Sequence, residues 1–206
     1  MIKCKGKVKK HCILFLLVLL LGCLCTIQPV YAKGSCTLSV RNGEDITVKL
    51  KKAIKKYDTI RIPGGTYRVS GSLTLDNKTA IQATSGRVVL QQRKNRKSIF
   101  TSSRSTKKLS LTGITLDGQG RSGSLLYVKN ASGLTLKNVQ FVNSRSYGLY
   151  VNRSKVTLTD CAFYNNKTTS LYALSSSDLK MTNCTLGKGK EGICLNSKAK
   201  GYLTNV

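Results

Sequence analysis

The sequence predicts an all-β fold, a parallel β-helix in which the chain winds into a solenoid of stacked coils. The main observation is a repeat: segments with the same alternation of apolar and polar residues begin at Leu109, Leu134, Val156 and Leu179. A second set of short strands keeps the same pace, at residues 126–128, 149–151, 171–173 and 193–195. Alternation with a period of two marks brief strands with inward and outward side chains. Three such strands in each repeat of ~22 residues predict a coil that stacks on its neighbours.

The first 32 residues have the pattern of a secretory signal peptide. Five lysines precede an apolar run from Ile13 to Leu24, and Val30-Tyr-Ala32 supplies small residues for cleavage. The apolar run is short for a membrane span, so no transmembrane segment is expected after cleavage. An alternative is a lipid anchor at Cys23, although leucine fits poorly two residues before that cysteine. The sequence therefore predicts a secreted or cell-surface protein whose mature chain is residues 33–206.

The segment of about residues 45–57 is expected to form a short amphipathic helix, with Asp45 or Thr47 as its cap. Its apolar residues recur at helical spacing, and its lysines lie mostly on the opposite face. An open β-helix exposes the interior and the strand edge of its first coil. A helix laid across that end would cover both. A short strand is also expected before it, at about Thr37 to Val40.

The coils are expected to begin at Thr59 and to become regular from residue 109 to residue 206. A basic loop is expected over Gln91 to Ser98. Past it, one turn position is occupied in successive coils by Gly113, Asn138, Asp160, Asn183 and Asn205. Asparagine tolerates tight-turn conformations and can bond to the neighbouring coil, so this column is interpreted as structural. Asp160 is therefore assigned to the column and not to catalysis.

Charge and cysteine content limit the classes of function. The net charge of the whole chain is +27, and removal of the five leader lysines leaves +22, which favours polyanionic partners. The alternative is a solvated basic surface with no particular ligand. Four cysteines remain: Cys36, Cys161, Cys184 and Cys194. Cys161 and Cys184 occupy the same inward position of consecutive coils and are interpreted as buried free thiols. No spacing suits a metal, and neither a metal site nor another cofactor is predicted.

The repeats resemble those of the pectate-lyase-like (pectin-lyase-like) superfamily of right-handed parallel β-helices. The upstream segments Asp45-Ile-Thr-Val-Lys-Leu-Lys-Lys-Ala-Ile54 and Asp58-Thr-Ile-Arg-Ile-Pro-Gly-Gly-Thr-Tyr67 are similar to the start of its first coil. The resemblance covers about residues 41–206. It implies a right-handed solenoid, but the superfamily contains lyases, hydrolases, epimerases, phage tailspikes and adhesins, so it implies no single activity.

No catalytic constellation is visible in residues 33–206. Polygalacturonases carry paired aspartates just before the strand that is here Ile193-Cys-Leu195, where this chain has Lys190-Glu-Gly192. Glycoside hydrolysis by the usual route needs two facing carboxylates, and a calcium-dependent lyase needs an acidic cluster. Whether the protein is an enzyme is therefore open. A polysaccharide lyase or glycoside hydrolase would have its catalytic residues beyond residue 206.

The candidate binding residues are Tyr127, Tyr150 and Tyr172, which form an outward column at steps of 23 and 22 residues. Such a ladder could bind carbohydrate through exposed aromatic faces. Alternatively, it only stabilises neighbouring coils by stacking. Both interpretations are open at this stage.

Three classes of function follow. The leading one is a secreted protein directed at polysaccharide, in particular acidic polysaccharide. The alternative is a non-catalytic cell-wall or surface protein that holds anionic polymer by charge. Specific nucleic-acid binding is rated lowest, because the basic segments lack interleaved aromatic residues.

The β-helix is also expected to be incomplete at its C-terminus, because Leu203-Thr-Asn-Val206 begins another coil. An open end would expose a strand edge and the apolar lining Met181, Cys184, Leu186, Ile193 and Leu195. Unpaired edges recruit other strands, so self-association through this end is expected.

Overall fold

The computed structural model describes residues 33–76, 78–102 and 106–206. The signal peptide predicted for residues 1–32 lies outside the described residues. Within them the chain forms twenty strands and one helix. None of the helices in this part of the chain is long and apolar enough to cross a membrane.

Successive strands follow one another around a three-sided coil. The elements are β1 Ser35–Thr37, α1 Thr47–Lys56, β2 Thr59–Ile62, β3 Gly65–Val69, β4 Leu73–Leu75, β5 Ala80–Ala83, β6 Val88–Gln92, β7 Phe100–Ser102, β8 Leu109–Thr112, β9 Ile114–Asp117, β10 Ser124–Lys129, β11 Leu134–Lys137, β12 Gln140–Val142, β13 Tyr147–Asn152, β14 Lys155–Thr159, β15 Ala162–Tyr164, β16 Asn166–Leu174, β17 Asp178–Thr182, β18 Thr185–Leu186, β19 Gly189–Leu195 and β20 Lys200–Thr204.

Every third strand pairs in parallel, which produces three sheets along one axis. Sheet A has the order β1-β2-β5-β8-β11-β14-β17-β20, sheet B the order β3-β6-β9-β12-β15-β18, and sheet C the order β4-β7-β10-β13-β16-β19. Six complete three-strand coils result, and β1 and β20 extend them to about seven turns. The predicted parallel β-helix is confirmed.

The core consists of columns of like side chains. In sheet A, Leu111, Leu136 and Leu158 stand in register from coil to coil, and all three are fully buried. In sheet B, the rings of Phe141 and Phe163 stack at 4.6 Å between centroids with 6° between their planes. The columns form because the parallel register places each residue one strand spacing, ~4.8 Å, from its counterpart. Burial of these continuous columns drives folding of the solenoid.

The helix α1 covers the N-terminal end, as expected, but its first turn differs from the prediction. It turns Leu50, Ala53 and Ile54 inward. The N-cap is Ile46, which is fully buried and has no side-chain cap bond. Asp45 lies one residue earlier, where its carboxylate accepts the backbone N–H of Thr47 at 3.0 Å. The prediction of Asp45 or Thr47 as the cap was wrong, because burying Ile46 at the coil end fixes the start of the helix.

Two local predictions also require correction. The first strand spans Ser35–Thr37 and not Thr37 to Val40. The basic loop begins only after Gln92, because β6 extends through this residue and buries it completely. The Gln92 Nε2 donates to the carbonyl oxygens of Gly71 and Ser98, both at 3.0 Å, and its Oε1 accepts the N–H of Lys94. A buried amide is tolerated here because these groups satisfy it.

The turn between sheets A and B, hereafter corner AB, contains the predicted polar column. Gly113, Asn138, Asp160, Asn183 and Asn205 all have positive φ, between 51° and 70°. Asn183 donates from Nδ2 to Asp160 Oδ1 at 3.4 Å, and Asn205 donates to Asn183 Oδ1 at 2.9 Å. Asparagine, aspartate and glycine are the residues that adopt this left-handed conformation most readily. The structural interpretation of Asp160 is confirmed.

The cysteines of the described residues are all free thiols. Cys161 and Cys184 occupy corresponding buried positions beside corner AB, as predicted. Burial raises the pKa of Cys161 to about 12. Cys36 and Cys194 are half-buried. The two pairs therefore differ in access to solvent.

The last coil exposes fewer of the expected apolar residues, because β20 pairs along the whole of β17. Met181 and Cys184 are buried by this pairing, which corrects the expected lining. The exposed hydrophobic side chains of this end are Leu195, Tyr202, Leu203 and Val206, at 42%, 63%, 51% and 48% exposure. Self-association through this end stays a prediction.

Replacing Asn183 by Ala should lower the free energy of unfolding by about 1–2 kcal/mol. The substitution removes the ladder hydrogen bonds. It also leaves alanine in the left-handed conformation at φ 53°, where a side chain is sterically unfavourable and alanine forms no side-chain hydrogen bond that would offset the cost. Asn183→Gly is the matched control, since it loses the same bonds without the steric cost. Urea denaturation of both variants measures the difference. Equal stability of wild type and both variants would show that this ladder contributes nothing.

Thiol labelling of the native chain of residues 33–206 should show two fast and two slow cysteines. Cys161, only 1% exposed, should react only as the chain unfolds, because a thiol with a pKa of about 12 carries almost no thiolate at pH 8. Folding raises the pKa of Cys161, so the protonated thiol is favoured in the folded state. The contribution of this thiol to the free energy of unfolding is therefore full below the unfolded pKa of about 9 and declines as the pH rises from there towards 12. Rapid modification of Cys161 without unfolding, detected by peptide mass mapping, would contradict the burial.

Candidate functional site

The predicted tyrosine column lies on the outer surface of sheet C. Tyr127, Tyr150 and Tyr172 are paired in register on β10, β13 and β16. The ring centroids of the first pair are 4.8 Å apart with 10° between planes, and those of the second pair 5.5 Å apart with 19°. All three side chains are half-buried. The geometry of the predicted ladder is therefore present, and its role in binding carbohydrate stays a prediction.

A fourth ring, that of Tyr147, joins the cluster. It meets Tyr150 edge-on at 5.5 Å and lies tilted against Tyr172 at 5.1 Å. Tyr147 was not among the candidate binding residues, because it lies outside the regular steps of 23 and 22 residues that define the column. A missed signal was its position three residues before Tyr150, at the start of the same strand β13. We call Tyr127, Tyr147, Tyr150 and Tyr172 the tyrosine cluster.

The stacking limits how the tyrosine cluster can contact a ligand. Both faces of the Tyr150 ring are covered, one by Tyr127 and the other by Tyr172. A sugar ring can therefore not stack on Tyr150, and the predicted mode of binding through exposed aromatic faces does not apply at the centre of the column. At Tyr150 the ring edge and the phenolic hydroxyl are the groups left for contact with a ligand.

Burial raises the pKa of Tyr150, and the neighbouring hydroxyls of Tyr127, Tyr172 and Tyr147 add to the shift. A phenol already ionises far above neutral pH, so the Tyr150 hydroxyl stays protonated there. A protonated phenol both donates and accepts hydrogen bonds. The centre of the cluster is thus uncharged and suited to hydroxyl or carboxylate oxygens.

Cationic residues concentrate at the two corners that border sheet C. Corner BC, between sheets B and C, carries Arg93, Lys94, Arg96, Lys97, Arg121, Arg145 and Lys188 in its connecting segments. The described part of corner CA, between sheets C and A, carries Lys78, Lys107, Lys108, Arg153 and Lys198 together with Asp76. In the connections of corner AB, by contrast, the charged residues are Arg87 and Asp160. Positive charge therefore lines both edges of the sheet that bears the tyrosine cluster.

A polar notch opens at corner BC beside the cluster. It encloses about 710 Å³ and is lined by Gln119, Asn143, Ser144, Arg145, Asn165 and Lys167. Asp117 lies beneath it, 7% exposed, and accepts a hydrogen bond from Asn143 Nδ2 at 3.0 Å. We call this cavity the BC notch.

Asp160, Asp117 and Glu191 take part in three separate hydrogen-bonding networks. Asp160 belongs to the ladder of corner AB, and Asp117 lies under the BC notch. Glu191, on β19, accepts the hydroxyl of Thr169 at 2.9 Å. Nowhere in the described ranges do three or more His, Cys, Asp or Glu residues approach one another as metal ligands would. The geometry thus offers hydrogen bonds and positive charge, but, within the described ranges, no acidic cluster that could hold a metal ion.

Comparison with known proteins supports the fold. Residues 124–206 match the family model described as "Right handed beta helix region". A solved structure, described as ORF18 of Geobacillus virus E2, superposes with a TM-score of 0.62 over 96% of this chain at 12% sequence identity. This chain spans 54% of the length of that viral protein. No curated protein matches the chain. The resemblance to right-handed parallel β-helices is therefore confirmed, and at this identity it concerns the fold alone.

Proposed function

We propose that this right-handed parallel β-helix is an exported protein that binds acidic polysaccharide along the outer surface of sheet C. The observation that carries the proposal is the position of the tyrosine cluster between two cationic corners. Export through the leader of residues 1–32 is part of the proposal. A cell-wall or surface polymer of the same chemistry would be bound in the same way.

The tyrosine cluster would supply directional contacts. Its phenol groups are repeated from coil to coil at about the strand spacing of ~4.8 Å. A polymer lying along the axis would therefore meet the same donor and acceptor at each coil. Each net hydrogen bond of this kind contributes about 0.5–1.5 kcal/mol, more when the partner is charged.

The cationic corners would supply attraction and orientation. Arg121 and Arg145 stand on consecutive coils of corner BC, where the Arg145 N–H donates to the carbonyl of Ser122 at 2.8 Å. Clefts and surfaces with charge of one sign concentrate oppositely charged ligands and accelerate their association. Exposed charges are screened over a Debye length of about 8 Å at physiological salt, so this part of the affinity must depend on ionic strength.

Hydrolytic or eliminative cleavage is not part of the proposal. The Glu191 carboxylate accepts the Thr169 hydroxyl, and it belongs to no group of three or more His, Cys, Asp or Glu residues among those the structure describes. Cleavage by the usual glycosidase route needs two carboxylates about 5–9 Å apart across one bond. Binding without turnover therefore agrees best with the geometry.

Replacing the Tyr127, Tyr150 and Tyr172 side chains together by Phe should lower the affinity for polygalacturonate at least tenfold, as expected for about three hydrogen bonds. The rings and their stacking remain, so thermal stability should stay close to that of wild type. The control is Tyr164→Phe with Tyr202→Phe, which removes exposed hydroxyls from sheets B and A. Titration calorimetry on residues 33–206 at low and at physiological salt measures both effects.

Full affinity in the triple Phe variant would contradict contact through the hydroxyls. If replacement of the same three residues by Ser also left affinity intact, the cluster would serve only to stabilise the coils. Absence of any binding to polygalacturonate or to teichoic acid at low salt would overturn the proposal as a whole.

Incubation of the 33–206 chain with polygalacturonate, with and without calcium, should release neither unsaturated product nor reducing ends. The reason is that Asp117, Asp160 and Glu191 lie in separate hydrogen-bonding networks, and that no three His, Cys, Asp or Glu side chains of the described residues form a metal site. Glu191→Gln is the informative variant. The prediction would be wrong if the wild type cleaves polygalacturonate and Glu191→Gln, or a single Lys or Arg substitution, abolishes the cleavage. Such a result would establish an active site in this part of the chain.

A further inference from the structure

The floor of the BC notch is organised by hydrogen bonds to a single carboxylate, that of Asp117. Asp117 accepts the backbone N–H of Gln119 and the Asn143 amide, both at 3.0 Å. The side-chain amides of Gln119 and Gln91 donate to its second oxygen. A carboxylate has about four acceptor positions, and here all four are used. Asp117 therefore has no free position for a cation and instead orients the amides above it.

The hydrogen bonding continues along the axis from Asp117 towards the solvent. Asn143 donates to Asp117, and Asn165 of the next coil donates to Asn143 Oδ1 at 3.4 Å. Each amide nitrogen has two hydrogens, and one bond uses only one of them. Asn143 and Asn165 can thus each donate a second hydrogen bond into the notch.

Two cations complete the wall of the notch. The backbone N–H groups of Arg145 and Lys167 are anchored to the carbonyls of Ser122 and Ser144, at 2.8 and 3.1 Å. Their charged head groups form no hydrogen bond or ion pair with any described residue, and both side chains are exposed. They are therefore available for an anion at no cost of breaking an existing contact.

The buried hydroxyl of Ser144 is an independent sign of a missing partner. Ser144 lines the notch and is 2% exposed, yet its Oγ has no hydrogen-bond partner among the described residues. Buried polar groups are nearly always hydrogen-bonded, and leaving one unpaired costs about 1–3 kcal/mol. The Oγ itself is covered, so the hydroxyl would have to rotate about χ1 to donate to an acceptor in the notch, which would then satisfy it.

We propose that the BC notch binds a single oxyanion, held by Arg145, Lys167, the amides of Asn143 and Asn165, and the Ser144 hydroxyl. Charge-assisted bonds from a guanidinium suit the paired oxygens of carboxylate, sulfate and phosphate groups. The inference rests on the proposed function and deepens it, because Tyr147 of the tyrosine cluster follows Arg145 by two residues. The notch then fixes a charged substituent of the polymer while the chain lies on sheet C.

The test uses the 33–206 chain and small anions, so that it does not depend on polymer binding. Galacturonate, inorganic sulfate and inorganic phosphate are titrated separately at constant ionic strength, with chloride as the background anion. The side-chain amide resonances of Asn143 and Asn165 and the Nε resonance of Arg145 are followed by NMR. We expect saturable shifts at millimolar concentration, and the anion that saturates first identifies the substituent as carboxylate, sulfate ester or phosphodiester.

Two matched double variants separate the notch from diffuse charge. Arg145→Gln with Lys167→Gln should weaken anion binding at least tenfold. Lys137→Gln with Lys180→Gln removes the same charge from β11 and β17 of sheet A, outside both cationic corners, and should leave anion binding within twofold of wild type. Ser144→Ala should weaken binding severalfold without changing the fold.

Equal weakening by both double variants, or shifts that never saturate for any of the three anions, would overturn the inference. The experiments distinguish failure of the anion site from failure of polymer binding along sheet C. Loss of polymer binding in the triple Phe variant with intact binding of the small anion leaves the notch established. Polymer binding without any anion site leaves sheet C established and the notch refuted.

Discussion

Parallel pairing between consecutive coils is the constraint on which the rest of the structure depends. Each strand bonds to the strand one turn later, so any side chain stands ~4.8 Å from its counterpart in the next coil. Leucine therefore meets leucine inside sheet A, and Phe141 meets Phe163 inside sheet B. The same rule acts outside, where Tyr127 meets Tyr150. The core and the candidate binding surface are thus two results of one register.

Much of this architecture could be predicted from the sequence, because parallel register between coils requires similar residues at a regular interval, and that interval is visible as a sequence repeat. The alternation at Leu134 and Leu136 gave the inward columns, and the recurrence of Asn138 and Asn183 gave the left-handed corner. What a repeat cannot show is an exception to it. Gln92 is buried because three backbone groups happen to surround it, and Ile46 replaces the expected cap because it fills the coil end.

The candidate site was harder to predict, since it combines residues from different parts of the repeat. The column of Tyr127, Tyr150 and Tyr172 was visible in the sequence, but Tyr147, at the start of β13, lies outside its regular spacing. The consequence of stacking was also hidden, because spacing along the chain does not show how two rings cover each other. The BC notch was missed for a similar reason. Asp117 and Asn143 are 26 residues apart and meet only because their coils are adjacent.

The three corners differ in how many residues they accept in the connection between two strands. From Gly113 onward, corner AB turns in one or two residues, whereas the connections of corner BC range from one residue to the seven between β6 and β7. A single inserted residue within a strand would reverse the inward and outward positions of all that follow it in that strand. An insertion at corner BC would leave both flanking strands in phase. Whole loops at corner BC can therefore be exchanged, by evolution or by design, while the scaffold is retained. Changes of loop length at this edge of sheet C would then alter ligand preference.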